Sequence, residues 1–192
     1  MGLLWLGLLL FIVPHSLSVF AADWREARMA AMGVRTWKAL VALVSLAGLV
    51  LIVYGFAQAR AAGTALLWTP GPALRHLASP LTLVAFILGA AAYTSRSRLR
   101  AVVGHPLTLG VALWAAGHLV ANGSAADVVL FGVLLLWAVI EFIALRARDR
   151  RTGQVRAGIW GNDLFSVVIG TVAWYVFAIY LHGPLIGVQP FG

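Results

Sequence analysis

The chain has no cysteine and few charged side chains, and both absences narrow the class of protein. Without cysteine, disulfides, thiolate catalysis, iron–sulfur clusters and thiolate-ligated haem are excluded. Only 10% of the 192 residues are charged and 62% are hydrophobic, whereas soluble domains usually carry about 25% charged residues. Too little polar surface remains to cover a water-soluble body, so the sequence predicts a protein embedded in lipid.

Acidic residues are scarcer than basic ones, and the formal net charge is +8. In a soluble protein such an excess would suggest nucleic-acid binding. Here the basic residues lie between apolar runs, where Lys and Arg set the orientation of membrane helices. The lipid bilayer, and not nucleic acid, is therefore the expected partner.

Six apolar runs approach the length of about 20 residues that a helix needs to cross a bilayer. They are apolar on all sides, which favours helices over the alternating strands of a barrel. The expected fold is therefore an all-α polytopic membrane helix bundle, with residues 1–192 as a single transmembrane domain. The predicted spans are Leu3–Phe20, Leu40–Ala57, Leu77–Tyr93, Pro106–Ala121, Val128–Leu145 and Leu164–Leu181.

The basic residues are distributed unevenly among the loops between these runs. The second loop holds only Arg60 and Arg75, the fourth holds none, and the other Lys and Arg lie in the first, third and fifth loops. The positive-inside rule then predicts that both termini face away from the cytoplasm. The first loop, Asp23–Lys38, mixes charges with large apolar residues, so it forms either an interfacial amphipathic helix or a plain connection.

Ionisable residues inside a membrane are costly, so each one is a functional hypothesis. His15, His118 and Glu141 lie within the predicted spans. For His15 the simpler alternative is a core histidine that is hydrogen-bonded to a neighbouring helix. Glu141 has three open interpretations: a hydrogen bond to His15, an ion pair with an arginine, or part of a proton path. Four more lie at span ends: His76, His105, Asp163 and His182.

His118 is flanked by Trp114 and Asn122 at positions i−4 and i+4, so the three share one helix face. A histidine in an aromatic belt at the membrane interface is the simpler interpretation of this stripe. His105 is thirteen residues away, on nearly the opposite side of the helix. Because it precedes Pro106, it fits the beginning of a helix. For His182 a lone surface histidine is the simpler interpretation, and a second site shared with His76 is left open.

Two buried histidines on different helices suggest a haem or a metal ion, since imidazole is a common ligand for both. Against a shared site, the depths expected for His15 and His118 differ by about 8 Å. Zinc is the weaker alternative, because a zinc site needs three or four convergent ligands.

The order and spacing of several segments resemble the NnrU family over nearly the whole chain. The segments are Phe11–Ser16, which contains Pro14-His15, then Val41–Gly48, His105–Gly110 and Trp114–Gly123. The resemblance implies a multi-pass protein of the bacterial inner membrane with a link to denitrification. The family is also similar to plant zeta-carotene isomerase, a membrane enzyme that binds haem b through two histidines.

Carried over by position, this similarity makes His15 and His118 the axial ligands of the haem iron. His105, Glu141, Trp114 and Asn122 are secondary candidates. The implied activity is redox-gated isomerisation of an apolar polyene, with one imidazole leaving the iron and the helix bending at Pro14. As a non-enzyme, the protein would carry electrons, sense nitric oxide or assist a partner.

Gly104 departs from the family pattern, which has Arg before the His-Pro pair. Arg-His-Pro also occurs in membrane methyltransferases that use S-adenosylmethionine, so a cofactor pocket near His105 and Glu141 is an alternative that Gly104 weakens. A third hypothesis needs no site. Eight Trp and nine Phe provide adhesive surface for a structural or accessory subunit that packs against other membrane proteins.

Overall fold

The structure, a computed structural model, describes residues 1–191. Within that range it is helical and contains no strand, only the isolated bridges Leu66–Ser124 and Ser97–Ile159. Contacts divide the chain into two compact units. Unit 1 comprises Met1–Leu67 and Ser124–Val133, and unit 2 comprises Trp68–Gly123 and the chain from Leu134 onward.

Ten α-helices and two π-helical stretches follow one another along the described chain. In order they are α1 Gly2–Phe20, α2 Ala22–Met32, α3 Val34–Ala61, α4 Pro72–Tyr93, α5 Arg98–Val103, α6 Pro106–Ala121, α7 Ala125–Asp127, the π stretch Val128–Gly132, α8 Val133–Arg151, α9 Trp160–Val176, the π stretch Phe177–Leu181 and α10 His182–Ile186.

Five helical segments of residues 1–191 are long and apolar enough to cross a membrane: α1, α3, α4, Ala125–Arg151 and Trp160–Ile186. The helix α6 is apolar but shorter. The all-helical membrane architecture predicted from the sequence is thereby confirmed. The count of six spans and the orientation of the termini stay predictions.

In unit 1, α1 packs backbone to backbone against α3. A Cβ on Gly7 would lie 2.5 Å from the Ile52 nitrogen, and one on Gly48 would lie 2.7 Å from the Phe11 nitrogen. A Cβ on Gly55 would overlap the backbone nitrogen of Leu4. Small residues permit such close helix contacts in membranes, where van der Waals packing drives association.

The first loop is largely helical, since α2 occupies Ala22–Met32. No residue of α2 is buried, and its Trp24 ring lies 5.8 Å from that of Trp37 at the start of α3. Of the two alternatives for this loop, a helix with polar and aromatic residues is the one observed.

Unit 2 is built around α4, which packs against both α6 and α9. Glycines again permit close approach: a Cβ on Gly110 of α6 would lie 2.9 Å from the Ala85 oxygen, and one on Gly170 of α9 would lie 2.5 Å from the Ile87 Cα. These three helices contribute walls to a cavity in this unit.

Candidate functional site

Unit 2 contains a cavity of about 410 Å³, called here the histidine cavity. This volume lies within the range of about 300–1,000 Å³ that is typical of small-molecule and cofactor sites. Helices α4, α6 and α9, the π stretch after α9, α10 and the carboxyl-terminal segment all contribute to it. Its lining residues are Pro70, Arg75, Ala78, Ser79, Thr82, Phe86, Trp114, His118, Ala121, Asn122, Gly123, Trp174, Phe177, Ala178, His182, Val188, Gln189, Pro190 and Phe191.

The wall between α4 and α9 is held by a polar contact. The Trp174 indole nitrogen donates to the Thr82 hydroxyl at 2.9 Å, and that hydroxyl donates to the Ala78 carbonyl. Phe191 packs edge-on against Trp174, with ring centroids 5.9 Å apart. A largely apolar wall with its polar atoms already hydrogen-bonded suits a flat, mainly apolar ligand.

His118 enters the cavity from α6 together with its neighbours one turn away. Its Nδ1 lies 2.8 Å from the Trp114 carbonyl oxygen, and the Asn122 amide donates to the His118 carbonyl at 2.8 Å. A carbonyl only accepts, so Nδ1 carries a proton, and in the neutral imidazole Nε2 would carry the lone pair. The stripe of Trp114, His118 and Asn122 predicted from the i−4 and i+4 spacing lines this one cavity.

His182 reaches the same cavity from the beginning of α10. A π-helical stretch, Phe177–Leu181, directly precedes His182. Such stretches are frequent at functional sites. The His182 Nδ1 lies 2.7 Å from the Val188 carbonyl oxygen, so Nε2 is again the lone-pair nitrogen. Gly187, at φ +79°, lies at a turn after which residues 188–191 line the cavity.

The two imidazoles share the cavity without an acidic neighbour. The ring centroids of His118 and His182 are 6.5 Å apart, and their planes differ by only 15°. Arg75 is the one lining residue with a permanent charge, and none of the described lining residues is Asp or Glu. The described lining residues therefore combine two imidazoles with one guanidinium, which suits a ligand that carries negative charge.

An apolar groove of about 390 Å³ adjoins the histidine cavity within unit 2. Phe86 and Trp114 line both spaces. The groove has no ionisable lining residue except Tyr93 and is bordered by small residues such as Gly89, Gly110 and Gly170. An apolar chain that lay in this groove would end beside the aromatic wall of the cavity.

His15 lies in α1, in unit 1, on the turn that contains Pro14. Its Nδ1 donates to the Phe11 carbonyl at 2.6 Å, and its ring lies 4.5 Å from that of Phe11. The imidazole thus shows the same backbone anchoring as His118 and His182. Its pairing with His118 at one haem stays a prediction.

Two residues that the sequence singled out, Glu141 and Asp163, are buried carboxylates in unit 2. Glu141 on α8 is 4% exposed, and its Oε2 has no hydrogen-bond partner among the described residues. Asp163 on α9 accepts a hydrogen bond from the Ser97 hydroxyl at 2.8 Å and another from the Leu99 backbone nitrogen at 3.0 Å. Asp163 therefore has a structural role, since it holds the beginning of α5 against α9.

His105 precedes Pro106 at the beginning of α6, as the sequence predicts. Its Nε2 donates to the Asp149 carboxylate at 2.9 Å, and Arg156 pairs with the same oxygen. Burial lowers the pKa of His105, although the Asp149 charge opposes that effect. Beside it, the Arg146 guanidinium lies 2.6 Å from where a Gly104 Cβ would be, so α8 supplies a guanidinium next to Gly104.

Sequence reasoning did not single out Arg75, Trp174 or Asp149, and it favoured a surface role for His182. Asp149 is surrounded by arginines near the end of α8, and this pattern in the sequence could have indicated a paired carboxylate. In the sequence, His182 simply follows the last apolar run. The hydrogen bond from His182 to the Val188 carbonyl depends on the turn at Gly187, which the sequence did not predict.

Comparison with known proteins identifies the family. Neither the curated proteins nor the solved structures yield a match to this chain. The sequence model of one family, described as NnrU protein, matches residues 3–190, which is nearly the whole chain. The chain is therefore a member of the NnrU family.

Proposed function

We propose that this NnrU-family membrane protein binds haem b in the histidine cavity, with His118 as an axial ligand of the iron. The observation that carries the proposal is the setting of His118: an imidazole, with Nδ1–H bonded to a carbonyl, in an aromatic-walled cavity of about 410 Å³. Protein ligands of metals are commonly fixed in this way, because the second ring nitrogen sets the tautomer and orientation of the first.

The donor set and the cavity wall both fit a haem. Haem b is a flat apolar macrocycle with two carboxylates on one edge. Phe86, Trp174 and Phe177 line the cavity and would provide aromatic contacts for the ring, and Arg75 would provide a positive charge for the carboxylates. The iron would supply redox-dependent coordination chemistry, while the chain binds the ring, orients it and excludes water.

The apolar groove favours a role that involves an apolar molecule. A molecule from the bilayer would lie in the groove and reach the cavity at Phe86 and Trp114, which line both spaces. We propose an isomerase-like action on such a molecule, in keeping with the family resemblance, and a denitrification-linked role in a bacterial inner membrane. The pairing of His118 with His15 is the ligand assignment that the resemblance implies.

The proposal is tested by the absorption spectrum of the full-length protein, purified in mild detergent after expression with a haem precursor. We expect a Soret band, α and β bands on reduction, and a pyridine haemochrome of the b type. His118→Ala should lose most of the haem, whereas His76→Ala should retain it, because His76 is an exposed histidine of the same unit that does not line the cavity. A colourless wild-type protein would rule out the proposed function.

A further inference from the structure

We propose that Arg98 and Trp160 form a binding site for the phosphate headgroup of an anionic phospholipid, with one acyl chain lying along α9. The site belongs to unit 2 but is distinct from the histidine cavity. Trp160 begins α9, whereas the cavity is lined by Trp174 near the other end of that helix. Lipid binding at Arg98 is therefore independent of the proposed haem.

The Arg98 side chain is stacked on an aromatic ring. Its Cζ atom lies 4.2 Å from the centroid of the Trp160 ring. Such stacking holds the flat guanidinium in place and leaves its N–H edge to donate to two oxygens of one phosphate. Trp160 is also the first residue of a membrane-crossing segment, the level at which tryptophans meet lipid headgroups. The pair thus has both the position and the donors that a lipid phosphate requires.

Main-chain contacts hold Arg98 and Trp160 close to each other. The Ile159 nitrogen donates to the Arg96 carbonyl at 2.8 Å. A Cβ on Gly158 would overlap the backbone of Arg98, so the chain before α9 lies directly against the beginning of α5. The stacked pair is therefore supported by the backbone of both segments and does not depend on the two side chains alone.

The charge around this pair favours an anion. Residues 94–104 and 146–163 contain eight arginines and no lysine: Arg96, Arg98, Arg100, Arg146, Arg148, Arg150, Arg151 and Arg156. The two acidic residues of these stretches, Asp149 and Asp163, are buried and already hydrogen-bonded. Within residues 1–191 no carboxylate forms a salt bridge with Arg98. The exposed charge at this end of unit 2 is therefore positive.

An exposed apolar stripe of α9 begins at the same point. Trp160, Leu164, Val168 and Val172 are four residues apart, so they share one helix face, and each is 50–68% exposed. At 1.5 Å per residue the stripe extends about 18 Å from Trp160. This length exceeds half of a hydrocarbon core that is about 30 Å thick. An acyl chain attached to a phosphate at Arg98 can therefore contact α9 through one leaflet.

The combination of the stacked arginine and the stripe favours a phospholipid over two simpler explanations. A free phosphate would use the guanidinium but has no apolar part to place on α9. Arginines that only orient the membrane helices act through their charge. In that case Arg151, at the end of α8, would contribute as much to lipid binding as Arg98.

Native mass spectrometry of the full-length protein in detergent tests the proposal. The probes are phosphatidylglycerol and phosphatidylcholine with identical acyl chains. Wild type should bind phosphatidylglycerol about fivefold more tightly, the contribution expected of one arginine beside an anionic headgroup. Arg98→Gln should lose about three- to fivefold of that affinity and leave phosphatidylcholine binding unchanged.

Arg151→Gln is the matched control for Arg98→Gln. It removes an exposed arginine of the same unit on which, within the described chain, no aromatic ring stacks. This variant should lose less than about twofold of the affinity for phosphatidylglycerol. Trp160→Leu keeps the stripe apolar but removes the stacked ring, so it should weaken phosphatidylglycerol binding by about two- to fivefold.

Three results would overturn the proposed site. The first is equal binding of the two lipids by wild type. The second is an equal loss in Arg98→Gln and Arg151→Gln, which would mean that only total charge matters. The third is displacement of phosphatidylglycerol by inorganic phosphate, which would indicate a site for small anions. If Arg98→Gln does not accumulate, Arg98→Lys replaces it, because the ammonium keeps the charge but lacks the planar fork and should still weaken binding.

Discussion

The imidazole of His105 lies 2.9 Å from the carboxylate of Asp149, on elements 44 residues apart in the chain. Asp149 is buried and also pairs with Arg156. This carboxylate thereby joins the beginning of α6 to α8 and to the segment that follows α8. Because a buried carboxylate must be paired, the contact makes this end of unit 2 sensitive to protonation.

The pKa of His105 predicts how stability depends on pH. Burial is the main cause of the lowered pKa, the Asp149 charge opposes it, and the charges of Arg156 and Arg148 add to the lowering. The unfolded chain, with a histidine pKa of about 6.5, therefore binds a proton before the folded chain does. Stability should be complete above about pH 6.5 and should decline as the pH falls towards the folded pKa of His105.

Unfolding in mixed detergent micelles between neutral and mildly acidic pH measures this dependence. His105→Asn and His105→Gln should both flatten the profile, since neither side chain titrates. The two variants together separate the loss of the imidazole from a change in size. A profile that stays equally steep in both variants would contradict the assignment to His105.

The close contact between α1 and α3 predicts the effect of enlarging a glycine. Gly55→Ala should destabilise unit 1 by about 1–3 kcal/mol, because the new Cβ overlaps the backbone of Leu4 and the helices must separate. Gly89→Ala in α4 is the matched control. It has nothing within 4 Å of its Cβ position, so it should be neutral or more stable by up to about 1 kcal/mol.

Thermal unfolding of the two variants in the same detergent provides the comparison. Equal changes in stability for the two variants would contradict the proposed importance of the close approach of α1 to α3 at Gly55.

Because Arg75 lines the cavity, we expect the affinity for haem to depend partly on the two haem carboxylates. Arg75→Gln should weaken binding by about two- to fivefold, because the exposed guanidinium would form only a solvent-screened ion pair with a haem carboxylate, and Arg75→Lys should retain most of the affinity. Titration of haem-free protein measures both values.

The dimethyl ester of haem provides the control for Arg75, since it lacks the two carboxylates. Wild type and Arg75→Gln should bind the ester with the same affinity. A loss of affinity for the ester as large as that for haem would mean that Arg75 acts through the shape of the cavity.

The positions of the long helices followed from hydropathy, while their ends did not. The prediction for α6, Pro106–Ala121, agrees with the structure. The second predicted span, Leu40–Ala57, is longer in the structure, where α3 runs over Val34–Ala61. Apolar composition marks the part of a helix suited to lipid, whereas hydrogen bonding continues the helix into polar residues such as Arg35 and Arg60.

The candidate site was predicted in part for a similar reason. Spacing along one helix placed Trp114, His118 and Asn122 together, because residues four apart share a helix face. No local pattern relates His118 to His182, which are separated by two long helices. For Asp149 the pattern of one acidic residue among arginines was visible in the sequence, but its partners His105 and Arg156 lie outside its own helix and could not be predicted from it.

The sequence by itself determined that the protein is helical, lipid-embedded and a member of the NnrU family, because composition, apolar run length and motif order are properties of the linear chain. Only the tertiary structure decided which polar groups meet. The π stretch after α9 and the turn at Gly187 bring His182 to His118. Such contacts depend on how helices pack and where the chain reverses, which pairs residues that are distant along the chain.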